Sequence, residues 1–323
     1  MEYLNNPISS IPVDFPGFVN QRKAIESRRM DANNVPNYAF ALDWELRKKL
    51  DAIPGFYTVA KKIAATAAAR QYQQLNMTSL KVGPNQFRDV YEIIRYCANT
   101  LGIAVPNVFI VDDSSMNAIA IATDDVEPVI MLYSGLYERF TEGELMATLG
   151  HECGHLQNKH GSYNVLSSLL LNVGMNGIAQ YTPANLMYLL SDATQMAMNA
   201  WARAAEVTCD RAGMICCNNL EDAYSGEAKF MYGGAFGKHE VNYKEVLKQL
   251  EQQRKSIVRY EEILNLNRQH PTSARRIAAE MEFAECEVLY QWRPDLKKPG
   301  MILKSKQETD ERCREIISVS RKG

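Results

Sequence analysis

His151, Glu152 and His155 stand in the run His-Glu-Cys-Gly-His, and these residue types at this spacing could perform metal-assisted hydrolysis. The histidines are four residues apart, so on a helix both imidazoles project from one face toward a common ion. Glu152, beside the first of them, could take a proton from a metal-activated water instead of binding the metal. Two imidazoles leave a zinc ion short of ligands, because a hydrolytic site uses three protein groups and keeps one position open. Glu206, within Ala204-Ala205-Glu206-Val207-Thr208-Cys209-Asp210-Arg211-Ala212-Gly213, is the best candidate for the third. Asp210 falls one turn later on the same face and could accept a hydrogen bond from a ligand imidazole. Each feature alone has a plain structural reading: two satisfied histidines on a partly buried helix, and two acids on a solvated helical face.

The elements that must hold these groups are legible around them. Thr141 with Glu144 forms a capping box, and Leu145, Leu149 and Leu156 continue an apolar stripe, so a helix should carry the motif. Before it, residues 107–111, 117–122 and 128–133 are short apolar runs separated by Asp- and Ser-rich turns. They predict a three-stranded antiparallel sheet. Further helices are expected from Tyr38 to Pro54-Gly55, from Tyr57 to the 71–74 region and from Phe87 to Leu101, where Gly102 is the stop. After the motif they are expected from Thr182-Pro183, over 193–217, 243–266, 271–292 and 306–320. The fold class is therefore mainly α with a small β-sheet (α+β). Residues 1–36, punctuated by Pro7, Pro12, Pro16 and Pro36, read as an extended arm, and 37–323 as a single domain.

Composition narrows the function. With 36 basic and 38 acidic residues in 323, the chain has no electrostatic footprint for nucleic acid. No signal peptide is legible at the start, and seven cysteines without a paired framework fit reduced thiols in a cytoplasmic protein. Residues 165–179 are strongly apolar but carry Asn172, Asn176, Gly174 and Gly177. They fall short of the ~20 residues a spanning helix needs. They read as a buried or interfacial helix, with peripheral membrane contact as its other use.

Asn117-Ala118 in a strand, Ser134-Gly135-Leu136 before a capped helix, His-Glu-x-x-His, and Glu-x-x-x-Asp-Arg-Ala-Gly occur in one order. Together they resemble metallopeptidase family 48, the HtpX-like and CAAX-prenyl-protease-like zinc gluzincins, in its soluble bacterial form. The resemblance runs from about Tyr38, through Asp43-Trp44-Glu45-Leu46 and Ile53-Pro54-Gly55, to the helix after His270. It implies one Zn2+ per chain held by His151, His155 and Glu206, with Glu152 as catalytic base and Asp210 orienting a ligand histidine. The His270-Pro271 pair, followed by Arg275-Arg276-Ile277, is similar to the family's C-terminal His-Pro element, whose histidine steadies the oxyanion; its structural alternative is a helix N-cap. A protein or peptide substrate would pair as an added strand on the edge at Asn117-Ala118. The chain departs from the pattern in having no spanning helices and in its first 36 residues. Cys153 and Cys209 near the metal read as small buried side chains. His160 reads as a cation at the motif helix's end and His239 as a loop residue, and neither enters the site. The rival readings are a peptide-binding or chaperone-like module without turnover, and a latent peptidase covered by its arm.

Overall fold

The capping box at Thr141 opens the motif helix as its sequence requires: the Glu144 N–H donates to Thr141 Oγ1, and the Thr141 N–H donates to Glu144 Oε2 at 2.8 Å. The computed structural model describes residues 29–318 except 32, 124–125, 168–190, 233–241 and 254–269. In chain order α1 (Ala41–Asp51), α2 (Phe56–Thr78), β1 (Leu80–Lys81) and α3 (Arg88–Leu101) come first. β2 (Asn107–Val111), β3 (Ala118–Thr123), β4 (Val126–Tyr133) and the short α4 (Ser134–Arg139) lead to α5 (Glu142–Gln157), the motif helix. Then follow α6 (Asp192–Cys216), α7 (Leu220–Tyr232), α8 (Tyr243–Gln253), α9 (Ser273–Ala284), α10 (Glu287–Trp292) and α11 (Lys306–Ile317).

The α+β class holds, and the sheet needs two corrections. It has four strands in the order β1-β2-β4-β3, and β2 pairs with β4 in parallel. β1 is two exposed residues, too short for any periodicity to reveal. β3 and β4 form an antiparallel hairpin, and β4 inserts between β3 and β2, which makes the β2–β4 pair parallel. Both faces are covered. Phe109, Ile121, Val129 and Met131 pack on Ala68 and Leu75 of α2, while Val108, Ile110, Ala120, Ile130 and Leu132 join the core under α3 and α5. Two buried faces explain why these strands read as continuous apolar runs.

The other boundaries shift for local reasons. Gly102, at φ 78°, ends α3 in the left-handed cap expected of it. The helix expected over 271–292 is two, because the chain turns at Cys286, which bridges Lys304, before α10 begins. α4 and α7 were not legible beforehand. The helix at Thr182-Pro183, the loop of His239, most of 165–179, 254–266 and residues 1–28 of the arm lie outside the described residues. The end of the arm is built in. Val35 is buried, and Arg29 lies 4.4 Å over the Trp292 ring. No helix among the described residues is long and apolar enough to cross a membrane.

Candidate metal centre and catalytic cleft

Two helices meet unusually closely to build the centre. A Cβ on Gly213 of α6 would lie 2.6 Å from the Ala147 carbonyl oxygen of α5, and one on Gly154 would lie 2.7 Å from Ala212 Cβ. Side chains larger than hydrogen at these points would hold the helices apart. Across this contact Glu206 reaches both histidines: its carboxylate oxygens lie 3.6 Å from His151 Nε2 and 3.5 Å from His155 Nε2. The two Nε2 atoms are 3.2 Å apart. Ligands at about 2.0–2.1 Å around a tetrahedral zinc are separated by roughly 3.3–3.4 Å, so this donor set fits such an ion.

Cys209 is the competing donor, since its thiol, His151 and His155 place ligating atoms within 4.8 Å of one another. Its Sγ contacts His160 Nδ1 at 3.6 Å, and His160 Nδ1 in turn touches the Nδ1 side of His155, away from the Nε2 atoms that Glu206 faces. Burial, reinforced by Glu206 and Asp43, holds its thiol well above the ordinary range. The carboxylate is the better third donor.

The partners behind the imidazoles are largely new to the sequence reading. Asp210 Oδ1 lies 2.9 Å from His151 Nδ1, as its spacing implied. Behind His155 stands His160, fully buried, with Nδ1 atoms 3.1 Å apart; His160 Nε2 is 3.0 Å from Asp43 Oδ2. Trp201 Nε1–H and the Thr208 hydroxyl donate to the same carboxylate at 2.9 and 2.8 Å. His160 is thus no helix-end cation in solvent. Its separation from Asp43 by 117 positions hid the pairing, though the five-residue step from His155 was visible.

Asp210 is shared. Arg276 donates through Nε to Asp210 Oδ2 at 2.9 Å and through NH2 to Oδ1, while its NH1 pairs with Glu227 at 2.9 Å. Burial would raise the carboxyls of Asp210 and Glu206. Arg276 and His151 outweigh it for Asp210; His270, His155 and His151 do so for Glu206, and both are held below the ordinary carboxylate range.

Glu152 is the opposite case. Burial pushes its carboxyl up to about 7, against the pull of His155, with Glu206 adding to the rise. The Ala120 N–H of β3 donates to its Oε2 at 2.6 Å, so this carboxyl and the sheet edge are in register. His270 stands at the cleft mouth, exposed, with Nδ1 3.0 Å from Glu206 Oε2. It is not the N-cap of α9; that residue is Thr272.

All eight expected site residues, Asn117, Ala118, His151, Glu152, His155, Glu206, Asp210 and His270, line one cleft of about 700 Å³. Asn117 and Ala118 differ in what they offer. The Asn117 carbonyl accepts from the Tyr133 N–H within the sheet, so alternation turns the backbone groups of Ala118 and Ala120 to the open edge.

The imidazole pair, the carboxylate across the helix contact and the second carboxyl beside a strand edge have the arrangement of a metallopeptidase centre. The chain belongs to peptidase family M48: the sequence model of that family matches residues 84–282. The Plastoglobule-localized metallopeptidase 48 of Arabidopsis thaliana is 29% identical over 167 residues, 51% of this chain and 47% of that protein. Protease HtpX of Legionella pneumophila is 31% identical over 90 residues, 28% of this chain and 32% of its own length. A Protease HtpX homolog of Lactiplantibacillus plantarum is 30% identical over 95 residues, 27% and 32% of the two chains. The match thus spans less than half the length of each of these relatives. No solved structure matches the chain significantly.

Proposed function

We propose that the protein is a zinc-dependent endopeptidase, with His151, His155 and Glu206 holding one zinc ion and Glu152 acting as general base. The observation that carries this reading is that the two Nε2 atoms lie 3.2 Å apart and each faces one oxygen of the Glu206 carboxylate, at 3.6 Å for His151 and 3.5 Å for His155, separations on the scale of a zinc ligand shell. When bound, the ion supplies Lewis-acid polarisation of the scissile carbonyl and makes water acidic near neutral pH.

The protein's own groups account for the rest. An extended peptide adds to β3 through the outward backbone groups of Ala118 and the outward carbonyl of Ala120, whose N–H is held by Glu152; this pairing aligns the peptide's carbonyl beside the centre. Glu152 takes the proton of the attacking water and returns it to the leaving amine, the two transfers a positioned carboxylate performs. His270 pairs with Glu206 through Nδ1, which leaves its Nε2 side to donate to the developing oxyanion. Asp210 and the His160–Asp43 pair fix the ring orientation of the two histidines. Seven buried, unpaired cysteines support a reducing compartment, and hence the cytoplasm. Of the arm's described residues none lines the cleft.

The test is cleavage of labelled casein and peptide mixtures by the full chain, with and without a zinc chelator. Internal cleavage that stops on chelation and returns with zinc is expected; zinc-loaded protein that binds peptides without cutting them would favour the binding module instead. A second expectation concerns Asp43, which lies outside the family-matched residues. Asp43→Ala should weaken zinc binding about 10–100-fold, the usual effect of losing a group behind a ligand imidazole. Competition against a chromophoric chelator checks it.

A further inference from the structure

Below the centre the cleft continues into a recess that the reaction does not use. One face from each of four helices forms it. Thr148 precedes His151 by a turn on α5, Gly213 follows Asp210 by a turn on α6, Glu227 and Phe230 come from α7, and Arg276 and Glu280 from α9. From Glu206 to Gly213 the recess descends seven residues of α6, roughly 10 Å. Gly213 lies on its lining where α6 touches α5, and Phe230 gives it an apolar wall.

Its charge is unbalanced. Arg276 is the single Lys or Arg among the described residues lining the cleft, against five carboxyl groups: Glu152, Glu206, Asp210, Glu227 and Glu280. That guanidinium is committed to Asp210 and Glu227, with NH1 also 3.6 Å from Glu206 Oε2. Glu280, one turn further along α9, forms no hydrogen bond or ion pair with it. Only 4% of Glu280 is exposed, and its Oε2, buried on the recess, has no hydrogen-bond partner among the described residues. A buried polar atom left unpaired is costly unless something arrives to satisfy it. Burial, with Asp210 and Glu227 adding, holds the Glu280 carboxyl well above its ordinary range, as expected of an acid without a cation.

We infer that this recess is a side-chain pocket for a basic residue of the substrate, lysine or arginine, with Glu280 and Glu227 receiving its charged end. The inference rests on the peptidase reading above for its substrate, a polypeptide. A long aliphatic stem would run along Phe230. The ammonium or guanidinium group supplies the donors that Glu280 lacks. A glutamate at the same peptide position meets like charge and is rejected, and a methionine fills the space while leaving Glu280 unpaired.

Two measurements decide it. The first is a peptide series varied at each position flanking the cut, assayed for kcat/KM with the zinc-loaded full chain. One position should prefer Lys or Arg over Met on the order of 10–100-fold, with Glu the poorest. Glu280→Leu should collapse the Lys-to-Met ratio toward unity. The second is calorimetric binding of the Lys and Met peptides to Glu152→Gln, which needs no turnover. Tighter binding of the Lys peptide, lost in the Glu152→Gln, Glu280→Leu double variant, supports the pocket even if the chain cuts nothing, and in that case only the peptidase reading falls. Cleavage with no basic preference, or a preference that survives Glu280→Leu, would overturn the pocket and leave the peptidase standing; so would equal binding of the two peptides, as expected if water alone fills the recess.

Discussion

Glu152→Gln should lower kcat about 10²–10⁴-fold, the usual contribution of a positioned acid–base group, while zinc content stays at one per chain. The substitution is nearly isosteric, and the glutamine oxygen can still accept from the Ala120 N–H, so strand and helix stay in register. What it removes is the capacity to hold a proton. The same variant carries a stability signature. In the metal-free chain, burial raises Glu152 from an ordinary 4.5 to about 7. The unfolded chain then releases this proton more readily than the folded one, so wild-type stability falls as pH rises through that window, and Glu152→Gln lacks the fall. Thermal unfolding of both metal-free proteins between pH 4 and 8 reads the difference. Near-normal turnover in Glu152→Gln would remove Glu152 from the mechanism.

Arg211→Met should destabilise the fold by about 3–5 kcal/mol, the typical result of removing one partner from a buried ion pair. Arg211 is 1% exposed. It pairs with Asp310 of α11 at 2.7 Å, donates to the Tyr38 carbonyl at 3.0 Å, and lies between the rings of Phe40 and Phe283. One side chain beside Asp210 thus ties α6 to the segment before α1, to α9 and to α11. Burial raises the Asp310 carboxyl, but Arg211 and Lys306 outweigh it and hold it below the ordinary range. The pair's contribution is therefore present above that range and lost as pH falls through the depressed value. Denaturant unfolding at neutral pH checks the magnitude. A double variant with Asp310→Asn should cost less than the sum of the single changes, because the stranded carboxylate is gone.

How much was legible follows from the range of each signal. The capping box, the four-residue histidine step and the Glu206–Asp210 turn are local, and all three appear as read. The close passage of α5 and α6 was foreshadowed by Gly150, Gly154, Ala212 and Gly213, small residues at a helix crossing. α7 escaped notice because Gly226 interrupts its pattern, and with it went Glu227. The parallel β2–β4 pair depends on which strand inserts between two others, and strand composition does not encode that. The Asp43–His160–His155 chain and the single arginine shared by Asp210 and Glu227 join elements far apart in sequence. They exist only once α1, α7 and α9 have packed on α5 and α6. Glu280 was read as one residue of a helical run; its burial is a property of the packed recess.

Zinc binding tests the central claim most directly. Purified full chain after metal-replete expression should contain about one zinc per chain by elemental analysis, since three protein donors enclose the ion on one side. Glu206→Ala should lose it under the same conditions, and Cys209→Ala should keep it. A wild-type chain that carries no zinc and takes none up on titration would contradict the account, and so would zinc retained at full affinity by Glu206→Ala but lost by Cys209→Ala.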